Sequence, residues 1–302
     1  MFHFNPVLPH SHAAVRLPSY ALLQVKAFGD LVIAAASLRS LPAMELSRCR
    51  LVIGPYLKDL AQTLAPGCEV EVLNTADITV PAAFDVKRLG IVKGIASLLT
   101  LRAAVARAAP DATLVMERLG IRERFIVGRH LHREIPCADN VYLGYEAFIA
   151  QTFAPLNSPS QPLSLAVVRQ RRVLICPISR VGFKNLPPHL VIELARVCEE
   201  AGLEVEILLL EGELFEYPNA PRKRVIPCRF DALSASLSEC AAVISADSLP
   251  AHLAEYCGTP TFVVSPIENC YWFPKRVFQG DHWGLFSDKA HNPRLRRFLS
   301  TL

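Results

Sequence analysis

No two of the nine cysteines in this sequence stand at C-x-x-C spacing, which removes the usual zinc-ribbon and dithiol redox motifs. They are odd in number, scattered, and set partly inside apolar segments. That is the usage of small hydrophobes in a reducing compartment, not of a disulfide framework. Long apolar runs are missing as well: stretches such as Leu31–Leu38 fall far short of the ~20 residues that a membrane-spanning helix needs. The opening residues MFHFNPVLPHSHAAVRLPSY lack a charged segment followed by a long apolar one, so no secretory signal is read there. His3, His10 and His12 read as incidental histidines of a flexible tail over residues 1–18. The expectation is a soluble, cytoplasmic protein. A formal charge of +4 is too small to call for nucleic acid as a partner, and no stretch interleaves aromatic and basic residues as known nucleic-acid modules do.

What is present is an alternation of short apolar strands and helical patterns. Strands are expected at Ala21–Val25, Leu51–Gly54, Glu69–Leu73 and Ala112–Met116, with helices at Leu31–Leu41, Tyr56–Ala65, Gly90–Ala109 and Asp139–Phe153. A Pro- and Ser-rich stretch, APLNSPSQPLSLAVVRQ, then reads as a linker. A second series follows, with strands at Arg172–Pro177, Leu203–Leu210, Arg224–Cys228, Ala242–Ala246 and Thr261–Ser265, and helices at Pro188–Ala201, Asp231–Ala241 and Pro250–Cys257. Continuously apolar strands separated by helices imply parallel sheets covered on both faces. The expected organisation is therefore a tail over 1–18, a Rossmann-like domain over 19–154, a linker over 155–171 and a second Rossmann-like domain over 172–281. A final helix within 282–302 is expected to pack back on the first domain, with Trp272 and Trp283 lining a pocket or anchoring that helix.

In such folds ligands sit beyond the carboxyl ends of the strands, which directs attention to three loops. After the first strand come Gly29, which permits a tight turn or close backbone approach, and Asp30, which is either a helix cap or a general base facing the cleft. After Arg172–Pro177 the chain offers Ser179, Arg180 and Lys184 to an anion, or to solvent, before Pro187 and Pro188 open a helix. The third loop is ISADSLPAHLAEYCGTP. There Asp247 ends a strand, Ser248 can cap, Pro250 suits a first helical turn, and His252 can donate to a phosphate or sugar oxygen at a helix N-terminus. A structural role for His252 is the alternative. Between Lys87 and Arg133 ten basic residues face three acids, ten minus three giving +7. This reads as a solvated face or as a surface for an anionic acceptor or membrane.

LLQVKAFGDLVIAAASLRSL, ICPISRVGFKNLPPHLVIELARVCEEAG and SADSLPAHLAEYCGTPTFVVSP together resemble the bacterial lipopolysaccharide heptosyltransferases, inverting glycosyltransferases of the GT-B architecture. The resemblance touches both halves in order, and its third segment, similar to a D-T-G-x-x-H-x-A…G-T-P signature, is the most specific. It implies an α/β fold of two Rossmann-like domains facing a central cleft. It implies Asp30 as the base that deprotonates the acceptor, Ser179, Lys184, Ser248 and His252 at the donor diphosphate, and Asp247 at the donor sugar. It further implies a nucleotide-sugar donor, ADP-heptose first, with no other cofactor and no metal. The acceptor would be an anionic lipopolysaccharide-core or other surface glycan, met at the cytoplasmic face of the membrane. Two departures stand out: Leu249 replaces the family's glycine two residues after the aspartate, and Leu186 replaces its tryptophan after the lysine. Three alternatives stay open: the same fold with another nucleotide sugar, a degenerate nucleotide-sugar binder, and a two-domain sugar epimerase. The last lacks the further acid and base groups it would need.

Overall fold

A computed structural model describes residues 19–75, 90–153, 170–216, 220–288 and 293–302. The expected tail and the expected linker as far as residue 169 lie outside these, whereas Gln170 and Arg171 belong to a strand.

The first domain is built on β1 (Tyr20–Gln24), β2 (Cys49–Ile53), β3 (Glu69–Val72), β4 (Thr113–Met116) and β5 (His132–Glu134), in the order β3-β2-β1-β4-β5. The second is built on β6 (Gln170–Cys176), β7 (Glu204–Leu210), β8 (Arg222–Ile226), β9 (Cys240–Ala246), β10 (Thr261–Ser265) and β11 (Trp283–Leu285), in the order β11-β10-β9-β6-β7-β8. Every strand pair is parallel. Read from β8, the second sheet has the doubly wound order 3-2-1-4-5-6, and the first has its five-stranded equivalent. Each sheet thus reverses direction once, between β1 and β4 and between β6 and β9, and opens a crevice at that point.

The helices used below are α1 (Phe28–Leu38), α2 (Lys58–Leu64), α3 (Ile91–Ala108), α4 (Ile121–Val127), α5 (Val141–Thr152), α6 (Pro188–Glu200), α7 (Phe230–Glu239), α8 (Leu249–Tyr256), α9 (Lys275–Gly280) and α10 (Pro293–Leu299). Helix α1 is apolar on all sides: Leu31, Val32, Ile33, Ala34, Ala35 and Leu38 are all buried. A helix of that kind needs cover on both faces. One face packs on the first sheet and the other on α8, where Leu253 and Ala254 join the same buried cluster. Polar contacts reinforce the junction. Arg39 Nη1 donates to the Tyr256 carbonyl at 2.9 Å and its guanidinium lies 3.5 Å over the Tyr256 ring. Asn140 caps α5 and donates across the boundary to the carbonyls of Cys270 and Phe273 at 3.0 and 2.9 Å.

The C-terminal segment departs from expectation. Residues 283–285 add a strand to the second sheet, and α10 buries Leu295, Phe298 and Leu299 in the second domain's own core. Phe298 sits 5.7 Å from Phe262 of β10, so the final helix covers the second sheet and does not return to the first domain. Contact between the domains comes instead from the start of α5 in the first domain, where Asn140 reaches Cys270 and Phe273 and Tyr142 reaches His252.

Because one apolar cluster spans both domains, Leu253→Ala is expected to cost about 2–5 kcal/mol and to lower a single shared transition. Both tryptophans lie in the second domain, so their fluorescence and far-UV circular dichroism should give one denaturant midpoint. Separate midpoints would contradict a common core.

Candidate functional site

The two crevices face one another and enclose a cavity of about 510 Å³. Phe28, Gly29 and Asp30 line it from the first domain, and Ser179, Lys184, Asp247, Ser248 and His252 from the second. Every site residue singled out in the sequence therefore reaches one space.

Asp30 occupies the first turn of α1, but Ala27 holds the capping position and makes no side-chain cap bond. Burial pushes the Asp30 carboxyl up to about 6, opposed by the charge of Lys26, a hydrogen bond from the Ala27 backbone and the charge of Arg180. A base titrating near neutrality is suited to taking a proton from a hydroxyl. Phe28 stands 5.2 Å from Phe230 of α7, and the Arg180 guanidinium lies 5.7 Å from the Phe28 ring. These contacts tie the loop after β1 to the opposite domain.

On the second domain, Lys184 Nζ lies 2.6 Å from Asp247 Oδ2. Asp247 is only 4% exposed, so the lysine holds its buried charge. Ser179 shapes its own loop, with its hydroxyl accepting from Val181 N at 3.2 Å and its amide donating to Asn185 Oδ1 at 2.7 Å. Ser248 occupies the capping position of α8 without capping it, since its hydroxyl donates to the Ala246 carbonyl at 3.2 Å. The first-turn N–H groups of α8 are left without that side-chain acceptor, and Pro250 sits in the turn.

His252 is buried, and its Nδ1 meets the Tyr142 hydroxyl at 3.1 Å across the domain boundary. Burial drives its pKa down to about 4, with the Asp247 charge opposing and the Lys184 charge adding to the effect. The ring is neutral at pH 7. Its edge lies against Gly29, where an added Cβ would stand 3.1 Å from Cδ2. Gly29 therefore serves close helix-to-helix approach as much as a turn.

The two departures fall in different places. Leu186 is buried in the second domain's core and fills apolar space there. Leu249 opens α8 and lines the cavity. Trp272 lines the cavity as well, while Trp283 belongs to β11.

Several residues not singled out in the sequence also belong here. Glu213, after β7, lines the cavity and accepts from Leu210 N at 2.8 Å. Glu117 directly follows β4, is 8% exposed, and accepts from the Tyr145 hydroxyl at 3.4 Å. Gln24 Nε2 donates to the same Tyr145 hydroxyl at 2.8 Å. Glu117's place just past an apolar strand is the signal that could have found it, the same one that marks Asp247. Tyr142 and Tyr145 carry no comparable sequence signal. Among the described residues no group of three or more His, Cys, Asp and Glu side chains could hold a metal ion.

The neutral His252 gives a signed expectation. Between its ordinary value of 6.5 and about 4 the unfolded chain binds a proton that the folded chain does not, so stability falls as pH drops through that window. His252→Asn should lose less stability over that range in denaturant titrations. Equal losses in both proteins would contradict a buried neutral ring.

No family model matches the sequence, and no curated protein matches it. Solved structures do match in fold. The chain is similar to E. coli heptosyltransferase WaaC with ADP-2-deoxy-2-fluoro heptose at 12% identity and TM-score 0.58, over 93% of this chain and 99% of that one. It is similar to E. coli ADP-heptose lps heptosyltransferase II at 13% identity and TM-score 0.56, over 93% and 96%. It is also similar to a glycosyl transferase family 9 protein from Veillonella parvula at 12% identity and TM-score 0.57, over 90% and 88%. The architecture is GT-B: two Rossmann-like domains whose crevices meet at one cavity.

Proposed function

We propose that the protein is a glycosyltransferase that moves a sugar from a nucleotide-linked donor to an acceptor hydroxyl, with inversion. The observation that carries this reading is the single cavity joining a high-pKa carboxyl, Asp30, to a cation and a helix N-terminus from the opposite domain. Asp30 takes the acceptor proton as the acceptor oxygen bonds to the anomeric carbon. The bond from that carbon to the diphosphate oxygen breaks, and its electron pair leaves with the diphosphate. Lys184, Ser179 and the first turn of α8, with Ser248 and His252, stabilise that developing charge. Asp247 orients sugar hydroxyls. A Tyr142 hydroxyl donated to Nδ1 leaves the His252 proton on Nε2, the nitrogen available to an oxygen. The apolar end of the cavity, formed by Leu208, Leu210 and Phe230, suits a nucleobase, with Glu213 nearby for a ribose.

For the donor we infer ADP-heptose, supported by the structural likeness to WaaC with its ADP-fluoroheptose, and no metal or further cofactor. A screen of ADP-, UDP-, GDP- and dTDP-sugars by thermal shift and transfer tests it. Asp30→Asn should lower transfer by about 10²–10⁴-fold with donor binding retained, and Lys184→Ala should weaken nucleotide binding by about tenfold or more. Transfer by Asp30→Asn at the native rate would remove the base. A second reading, a donor-binding protein without turnover, draws on Leu249, whose side chain lines the cavity where the resembling family keeps a glycine. Donor binding with no transfer to any glycan extract would favour it.

For the acceptor we infer an anionic glycolipid of the lipopolysaccharide-core type, met at the cytoplasmic membrane face. Helix α3 exposes Ile91, Val92, Ile95 and Leu99 (71, 82, 50 and 52%), and α4 exposes Ile121 (90%). Lys93, Arg122 and Arg124 are exposed on the same two helices, a pairing of apolar and basic groups that suits an anionic lipid surface. No helix among the described residues is long and apolar enough to cross a membrane. Phosphatidylglycerol vesicles should pellet the protein, and Ile91→Ser with Ile95→Ser should reduce the pelleted fraction severalfold. Equal pelleting with phosphatidylcholine vesicles would contradict charge-guided docking.

A further inference from the structure

Glu117 is a buried carboxyl with no ion pair among the described residues. Its hydrogen-bonded neighbour is the Tyr145 hydroxyl, itself held by Gln24. Strand β4 lies beside β1, with Leu22 opposite Val115. Two residues further on, Gln24 and Glu117 stand level at the head of the sheet, at its switch point, where Asp30 begins its helix. Lys26, two residues past Gln24, forms an ion pair with Glu123 at 3.1 Å. A carboxylate in that setting lacks the compensation that buried charge requires and is more stable protonated.

We propose that Glu117 is a positioning residue for the transfer reaction. It is the protonated partner of Asp30, so that the buried Glu117 and the cavity-lining Asp30 carry one negative charge between them, held on Asp30. The inference rests on Asp30 as the base. During transfer the acceptor proton passes to Asp30 while Glu117 keeps its own, and Asp30 later returns its proton to solvent. With Glu117 neutral, the Asp30 charge faces the acceptor and no second carboxylate adds to the repulsion of the incoming diphosphate.

The groups facing the pair are consistent with this. Lys26 and Arg180 favour the Asp30 charge. Tyr56, whose buried hydroxyl has no hydrogen-bond partner among the described residues, is pushed up by burial first and then by Asp30. Burial and then the Asp30 charge lift Glu117 to about 8, against Lys26, Tyr145 and Arg118. The pair loses its two protons in separate steps, which belong to it jointly.

Two measurements test the proposal. The first is a carboxyl ¹³C NMR titration of glutamate-labelled protein, native and Glu117→Gln, which requires no activity. The resonance missing from the variant should titrate near 8 in the native protein and lower in Asp30→Asn. A Glu117 already ionised at pH 6 would overturn the proposal, whatever Asp30 does. The second is the pH profile of kcat/KM, which should rise near 6 and fall near 8. Glu117→Ala should lower kcat by about tenfold or more, and Glu117→Gln should rescue most of that loss and abolish the fall near 8. A Glu117→Gln profile that keeps that fall would also overturn it. Loss of transfer in Glu117→Ala without rescue by glutamine would mark a merely structural role. Native transfer by Asp30→Asn, in contrast, would defeat only the underlying reading of the base and leave the NMR result standing.

Discussion

Helix α1 is apolar on nearly every side, and it buries its second face against Leu253, Ala254 and Tyr256 of α8. That shared burial is the constraint on which the site depends. It sets the two sheets with their carboxyl ends face to face and the N-terminal turns of both helices at the same cavity. Gly29 against His252 marks how close the approach is. Around this axis Asn140, Arg39 and Tyr142 satisfy polar groups that cross the boundary. Their directional bonds fix the rotation that a purely apolar contact would leave loose.

Burial also governs the chemistry. The same low-dielectric setting raises the Asp30 and Glu117 carboxyls, holds His252 neutral and forces Asp247 to take Lys184 as its partner. On the proposed reading, an arriving diphosphate offers Lys184 a second anion, and Asp247 is then free to turn to sugar hydroxyls. Charge developing on the leaving group would meet donors already in place, with little solvent to reorganise.

Much of this was legible in the sequence, for identifiable reasons. Strands such as Val173–Cys176 and Ala242–Ala246 are buried on both faces, so they appear as apolar runs interrupted only by Ser245, and the residues after them mark the site. His132–Glu134 is exposed throughout and gives no such pattern. Trp283–Leu285 is a three-residue edge strand, too short to show a period. The destination of α10 depended on which sheet had an uncovered face, and that is a property of the assembled fold. Ser248 has the composition of a cap, but its hydroxyl turns back to Ala246. Glu117 hid among basic neighbours, where it reads as one acid in a positively charged stretch. Tyr142 and Tyr145 look like ordinary aromatic members of a helix until the opposite domain and the head of the first sheet give them partners.

The central claim is that the two crevices form one donor-and-acceptor cavity with Asp30 as its base. A crystal structure with a non-transferable ADP-sugar tests it most directly. The account predicts the diphosphate within hydrogen-bonding reach of Lys184 Nζ and the first turn of α8, with the anomeric carbon turned towards Asp30. A nucleotide bound elsewhere, or a sugar directed away from Asp30, would contradict it.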